Sequence, residues 1–201
     1  MKDLSSYFIV PREGSELLVA RERTHLDTSW DNCYYGLLTS GFHMPTIKDL
    51  VARLNHLKTG QVLDGNRTPI DPMPILEEHL AVRPPYRGEW LGARFIALKK
   101  EMYIIYHKEE NGIRREVIEP LVDCLMEDKQ ISLEYWLQNA TSQGLPPTAT
   151  PNGDLFYFSP RNGRVAGFAA DSDKAGLYCD GGSKGSDPGL GVRSQIFLKS
   201  N

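Results

Sequence analysis

Near the C-terminus, Gly181-Gly182-Ser183-Lys184-Gly185 has the spacing of a nucleophile elbow, in which a serine on a sharp turn attacks a carbonyl carbon. That chemistry needs a strand before the serine, a helix after it and a histidine further along as base. Here Gly185-Ser186-Asp187-Pro188-Gly189 cannot open a helix, and no histidine follows His107. The same glycines would suit a phosphate, but Gly185 follows Lys184 where a phosphate loop needs Ser or Thr. His25, His43, His56, His79 and His107 show no paired spacing for zinc, and no Pro-Cys-x-x-Cys follows His107-Lys108-Glu109 as a deaminase would require. No EF-hand loop occurs. Cys33, Cys124 and Cys179 are an odd, scattered set and read as reduced, packed thiols. The residue types therefore predict no catalytic site, no metal and no cofactor, and the chain is not expected to be an enzyme.

The same segment offers a surface instead. From Phe168 to Cys179 apolar or small residues (Phe168, Ala170, Ala175, Leu177, Cys179) nearly alternate with Ala169, Asp171, Asp173, Lys174, Gly176 and Tyr178. A two-residue period is that of a strand with one face packed and one free. Between Ala169 and Gly189 there is no Glu, Gln, Met, Trp, Ile or Thr, while Gly, Ser and Asp dominate around one Tyr. Antibody loops use a similar mixture for adaptable recognition. On composition alone the segment is an exposed hairpin with a long polar loop.

The run Arg164-Val165-Ala166, Phe168, Ala170, Ser172, Ala175, Leu177, Cys179 and Leu190-Gly191-Val192-Arg193 resembles the variable region of diversity-generating retroelement target proteins of the archaeal and archaeal-virus type. The resemblance implies a C-type lectin-like fold of the formylglycine-generating-enzyme subclass, with a variable region at about 164–193. It also implies a ligand-binding display protein whose outward positions are rewritten to meet varied protein or glycan targets. Those positions would be Gly167, Ala169, Asp171, Asp173, Lys174, Gly176, Tyr178, Asp180, Gly181, Gly182, Lys184 and Asp187. Adenine-directed mutagenesis of Asn codons yields Ala, Asp, Gly, Ser and Tyr but not Glu, Gln, Met or Trp, which agrees with the composition. Lys174 and Lys184 do not fit an Asn template, so each is either fixed or drawn from another codon. Gly41-Phe42-His43-Met44-Pro45-Thr46 is similar to the segment that opens the first helix of formylglycine-generating-enzyme-like domains, with Met44 in place of Leu. The calcium triplets of sugar-binding lectins, Glu-Pro-Asn and Trp-Asn-Asp, are absent. The alternatives are a degenerate or orphan enzyme of the formylglycine-generating type, whose pair of nearby late cysteines is reduced here to Cys179 with Cys124 far off in sequence, and a structural virion component.

A chain of 201 residues, 40% hydrophobic, can bury one substantial core and is expected to form a single α+β domain over 1–201. A net charge of −3 with interspersed signs gives no footprint for nucleic acid, and no apolar run suits a membrane span. Met1-Lys2-Asp3-Leu4-Ser5-Ser6 lacks the apolar core of a secretory signal, so display would depend on a carrier or a virion. Residues 7–10 and 17–20 suit strands, and Thr46 caps a helix carrying Ile47, Leu50, Val51, Leu54 and Leu57 until Gly60. A short helix is expected over 75–81 and strands over 90–98 and 102–107, with Asn111-Gly112 turning a hairpin into 113–118. Residues 121–137 are read as partly helical, 139–153 as loop and 155–158 as an aromatic strand.

Overall fold

The computed structural model of the chain describes residues 3–12, 14–110 and 113–199. Strands β1 (Tyr7–Arg12) and β2 (Ser15–Ala20) form an antiparallel hairpin. Helix α1 (Trp30–Thr39) follows, in a stretch for which no element was anticipated. The Ser29 side chain accepts from the Asn32 amide at its start, and Trp30, Cys33, Tyr34 and Leu37 bury one stripe at helical spacing. Helix α2 (Ile47–Lys58) opens on a complete capping box: the Thr46 hydroxyl accepts from the Asp49 amide at 3.1 Å, and the Asp49 carboxylate accepts from the Thr46 amide at 2.9 Å. Gly60, at φ +72°, closes it in the left-handed region that glycine alone adopts without strain.

Next come the short strands β3 (Val62–Leu63) and β4 (Pro69–Ile70), helix α3 (Met73–Leu80), and the long strands β5 (Arg87–Leu98), β6 (Glu101–Glu110) and β7 (Ile113–Pro120). The expected Asn111-Gly112 turn lies outside the described residues. The stretch read as partly helical over 121–137 is extended or irregular, with strand β8 (Lys129–Ile131), until α4 (Leu133–Asn139) begins on the Ser132 cap. Asp123 there sits at φ +53°, a conformation that no helix continues through. The remaining strands are β9 (Leu155–Phe158), β10 (Arg164–Ala170), β11 (Ala175–Gly181), β12 (Leu190–Gly191) and β13 (Gln195–Lys199).

The strands assemble into a mixed sheet in the order β7-β6-β5-β10-β11-β9-β8, with β12 beside β5, and a three-stranded sheet β1-β2-β13. The β9–β11 and β5–β12 pairs are parallel; the other pairs of the large sheet are antiparallel. The fold is α+β. On one face of the large sheet, Leu50 and Leu54 of α2 and Trp136 of α4 share a core with Phe95, Tyr157, Phe168 and Leu177. On the other face, Trp30, Tyr34 and Leu37 of α1 pack with Trp90, Val165 and Val192. Among the described residues no helix is long and apolar enough to cross a membrane.

A buried charge network ties these layers together. Arg53 of α2 donates to Glu89 of β5, and Arg193, just after β12, donates to Glu78 of α3. Arg23 donates to Glu78 as well, at 3.0 Å. Burial pushes the Glu78 carboxyl up, but Arg193 and Arg23 together outweigh it and hold the group below its ordinary value. The segment between β11 and β13 is thereby fastened to α3.

Candidate functional site

Strands β10 and β11 form an antiparallel hairpin in which Phe168 lies opposite Leu177, Gly167 opposite Tyr178 and Ala170 opposite Ala175. A bulge near Ala166 shifts the register on both sides of β10. At the tip, the Asp171 carboxylate accepts from the amides of Asp173 and Lys174, each at 3.0 Å, and the Asp171 amide donates to the Lys174 carbonyl. Asp171 thus builds the turn as an Asx motif. Hydrogen bonds from Asp173 and Lys174 lower its carboxyl, while the side-chain hydrogen bond to Asp171, more than that group's charge, raises the carboxyl of Asp173.

The inner face is closed. Ala166, Phe168, Ala170, Ala175, Leu177 and Cys179 all enter the core, and the Phe168 ring lies 6.4 Å from that of Trp136. The outer face is open only in part, which corrects the expected set of display positions. Gly167, Ala169 and Gly176 are buried. Trp90 covers Gly167: a Cβ placed there would meet the Glu89 carbonyl at 3.3 Å and the indole at 3.5 Å. A Cβ on Gly176 would meet the Phe156 carbonyl at 2.9 Å and the Tyr178 ring at 3.2 Å. Ala169 pairs with Gly88, over which Tyr86 and Leu190 sit. Alternation fixes which way these residues point, but a second layer lies over that side as well.

The remaining positions are accessible. Asp173, Gly182, Lys184 and Asp187 are exposed, and Asp171, Lys174, Tyr178, Asp180 and Gly181 are half-buried. They fall into two groups. Around β11, the Tyr178 ring stacks on Phe158 at 4.9 Å and 10°, and Phe158 is in turn near-parallel to Phe156 at 6.5 Å. The Lys174 ammonium lies 5.4 Å from the Phe156 ring and 6.0 Å from that of Phe158. Phe156 and Phe158 are half-buried, so the three rings form a ledge at the protein surface. Burial, then the charges of Asp171, Tyr86, Asp173 and Asp180, push the Tyr178 hydroxyl up to about 12. It therefore remains a neutral donor beside carboxylates.

The second group is the 182–189 loop. Ser183 accepts from the Asp31 amide at 3.3 Å and donates its hydroxyl to the Asp31 carboxylate at 3.1 Å, so the loop rests on the start of α1. Asp187 accepts from the Gly189 amide at 2.8 Å and shapes the turn into β12, while Gly182 lies beside the Arg164 guanidinium. Ser183 thus has an aspartate as partner in a loop, not a histidine on a strand-to-helix elbow.

Sequence reasoning took 155–158 as a compact aromatic strand and missed what its alternation says: Leu155 and Tyr157 point inward, so Phe156 and Phe158 must point out. It also kept Cys124 and Cys179 apart, whereas both lie in the core cluster that holds Tyr157. Burial raises both thiols, Cys179 well above its ordinary value, which opposes thiolate chemistry. Among the described residues no cluster of His, Cys, Asp and Glu could hold a metal ion. Compared with family models, curated proteins and solved structures, the chain matches none.

Proposed function

We propose that this protein is a ligand-binding display protein whose C-terminal region, about 164–193, is diversified by a retroelement on a C-type lectin-like scaffold. The observation that carries the reading is the ledge of Phe156, Phe158 and Tyr178 under Lys174, flanked by Asp171, Asp173 and Asp180. Rigid aromatic rings offer large contact area at little entropic cost, and short polar side chains beside them supply adaptable hydrogen bonds. That combination suits a protein epitope or the apolar face of a sugar. Two features of the scaffold support the lectin-like assignment: β13 returns to pair with β2, and Pro45-Thr46 opens α2 with its capping box.

The contact positions in this reading are Asp171, Asp173, Lys174, Tyr178, Asp180, Gly181, Gly182, Lys184 and Asp187. Gly167, Ala169 and Gly176 drop out because no ligand reaches them. A library randomised at the retained positions other than Gly181, where a Cβ would meet the Val165 carbonyl at 3.1 Å and the Trp90 indole at 3.3 Å, and displayed on phage tests the proposal. Most members should unfold within a few degrees of the parent, and selection should yield binders to unrelated protein or glycan targets. A library that is mostly unfolded would defeat the reading. Genomic context tests its other half: a neighbouring reverse transcriptase and a near-copy of the stretch encoding 164–193 are expected.

A further inference from the structure

A cleft of about 340 Å³ opens between α1 and the outer face of β5, β6 and β7, away from the aromatic ledge. That volume lies within the range of small-molecule sites, roughly 300–1,000 Å³. Trp30, Tyr34 and Tyr35 of α1 line one wall, and Arg94, His107 and Glu116 line the other. The Trp30 and Tyr34 rings stack at 4.6 Å, and Tyr35 meets Tyr34 edge-on at 5.4 Å with 60% of its surface exposed at the mouth.

The polar groups of the cleft are unequally satisfied. The Tyr34 hydroxyl donates to the Glu116 carboxylate at 2.8 Å and lies 3.0 Å from His107 Nδ1. Glu116 is thus bound to Tyr34 and not to the nearby arginine. Arg94 is half-buried, its Nε is shielded from water, and it has no hydrogen-bond or ion-pair partner among the described residues. A guanidinium is permanently charged and carries five donors in a planar fork. Burying part of that fork without a partner is costly, and a bidentate anion removes the cost.

From this geometry we infer that the cleft binds a small monocarboxylate with a flat, apolar body. The carboxylate pairs with Arg94, and the body lies against the aromatic wall of α1. The one guanidinium among the lining residues matches the charge of one carboxylate, whereas a dianionic phosphate would bring a second charge with no further permanent cation in the lining to meet it. This inference does not rest on the display reading, since none of the cleft residues belongs to the 164–193 region.

Indole-3-acetate and its neutral analogue indole-3-acetamide are suitable probes, each titrated into the intact protein by calorimetry and by chemical-shift mapping of the Trp30 and Tyr35 rings. The acetate should bind and shift these rings, and the amide should bind at least about tenfold more weakly, the scale of a lost charge-assisted pair. Arg94→Met should weaken acetate binding at least as much, and Tyr35→Ala should weaken both probes while leaving the fold intact, because that side chain is exposed. The acetate–amide comparison needs no variant, so it decides even where Arg94→Met fails to fold. Equal binding of acetate and amide, no binding of acetate, or displacement of acetate by equimolar inorganic phosphate would each overturn the assignment.

Discussion

Tyr178 lies parallel to Phe158, 4.9 Å between centroids and 10° between planes, on the face of β11 opposite the one that buries Leu177 and Cys179. One strand thus separates a buried face from a face that reaches the surface. Tyr178→Ala should cost about 1 kcal/mol of stability through the lost stack, and about 1–2 kcal/mol of affinity for any target gripped by the ledge. Phe168→Ala should lose about 3 kcal/mol or more of stability, because it opens a cavity against Trp136. Chemical denaturation of both variants checks the pair; a larger loss for Tyr178→Ala would mean the two faces are misassigned.

The glycines of the hairpin give a finer test. Gly176→Ser should destabilise the protein by about 1–3 kcal/mol, since its Cβ must push into the Phe156 backbone. Gly182→Ser, whose nearest atom is the mobile Arg164 guanidinium at 3.6 Å, should be nearly neutral. Matched thermal unfolding would show whether a side chain is tolerated at 182 and excluded at 176.

How much of this was legible in the sequence differs from element to element. Helix α2 could be read because Thr46, Asp49 and Gly60 mark its ends and its apolar spacing agrees with them. Helix α1 could not, because Trp30-Asp31-Asn32-Cys33-Tyr34-Tyr35-Gly36 holds weak helix formers, and tertiary packing of Trp30, Tyr34 and Leu37 decides its state. The alternation of β10 and β11 gave the inward set, but not that Trp90, distant in sequence, would roof Gly167. Periodicity reports the direction of a side chain and is silent on what lies above it.

His79 makes stability depend on pH near neutrality. Its Nδ1 lies 2.7 Å from the Ile75 carbonyl, and Glu89 is 3.6 Å from Nε2. Burial first, then the charges of Arg193 and Arg53, hold its pKa well below the ordinary 6.5, with Arg23 adding to them. Below pH 6.5 the unfolded chain takes up a proton that the folded imidazole refuses. The unfolded state then binds more protons, so the contribution is full above 6.5 and is lost as pH falls through the lower folded value. Urea midpoints should fall between pH 6.5 and 5, ahead of the carboxylates, and His79→Gln should flatten that limb.

Arg53 and Glu89 are both nearly inaccessible, at 1% and 3% side-chain exposure. Arg53→Met should cost about 3–5 kcal/mol because it removes the charged hydrogen bond of the buried Glu89 carboxylate and leaves it only Arg193, at 3.7 Å, as a charged partner among the described residues. Arg53→Met with Glu89→Leu should cost distinctly less, since removing both charges leaves neither unpaired. A double-mutant cycle in urea measures the difference, and additivity of the two changes would refute it.

Strand β2 has β1, its neighbour in sequence, on one side and β13, from the far end of the described chain, on the other. A pairing between such distant segments forms late, because a very long loop must close before any contact rewards it. Until then β2 keeps one bare edge, a template for wrong partners. Folding time therefore becomes a filter on hairpin sequences. A hairpin that slips register would misplace Arg193 and so leave the bare edge of β2 open for longer. Length is filtered far more gently than register, since closure cost grows only with the logarithm of loop size, about 0.6 kcal/mol per doubling. Extra residues in the 182–189 loop should hardly slow assembly, whereas a single misfit within β10 or β11 should.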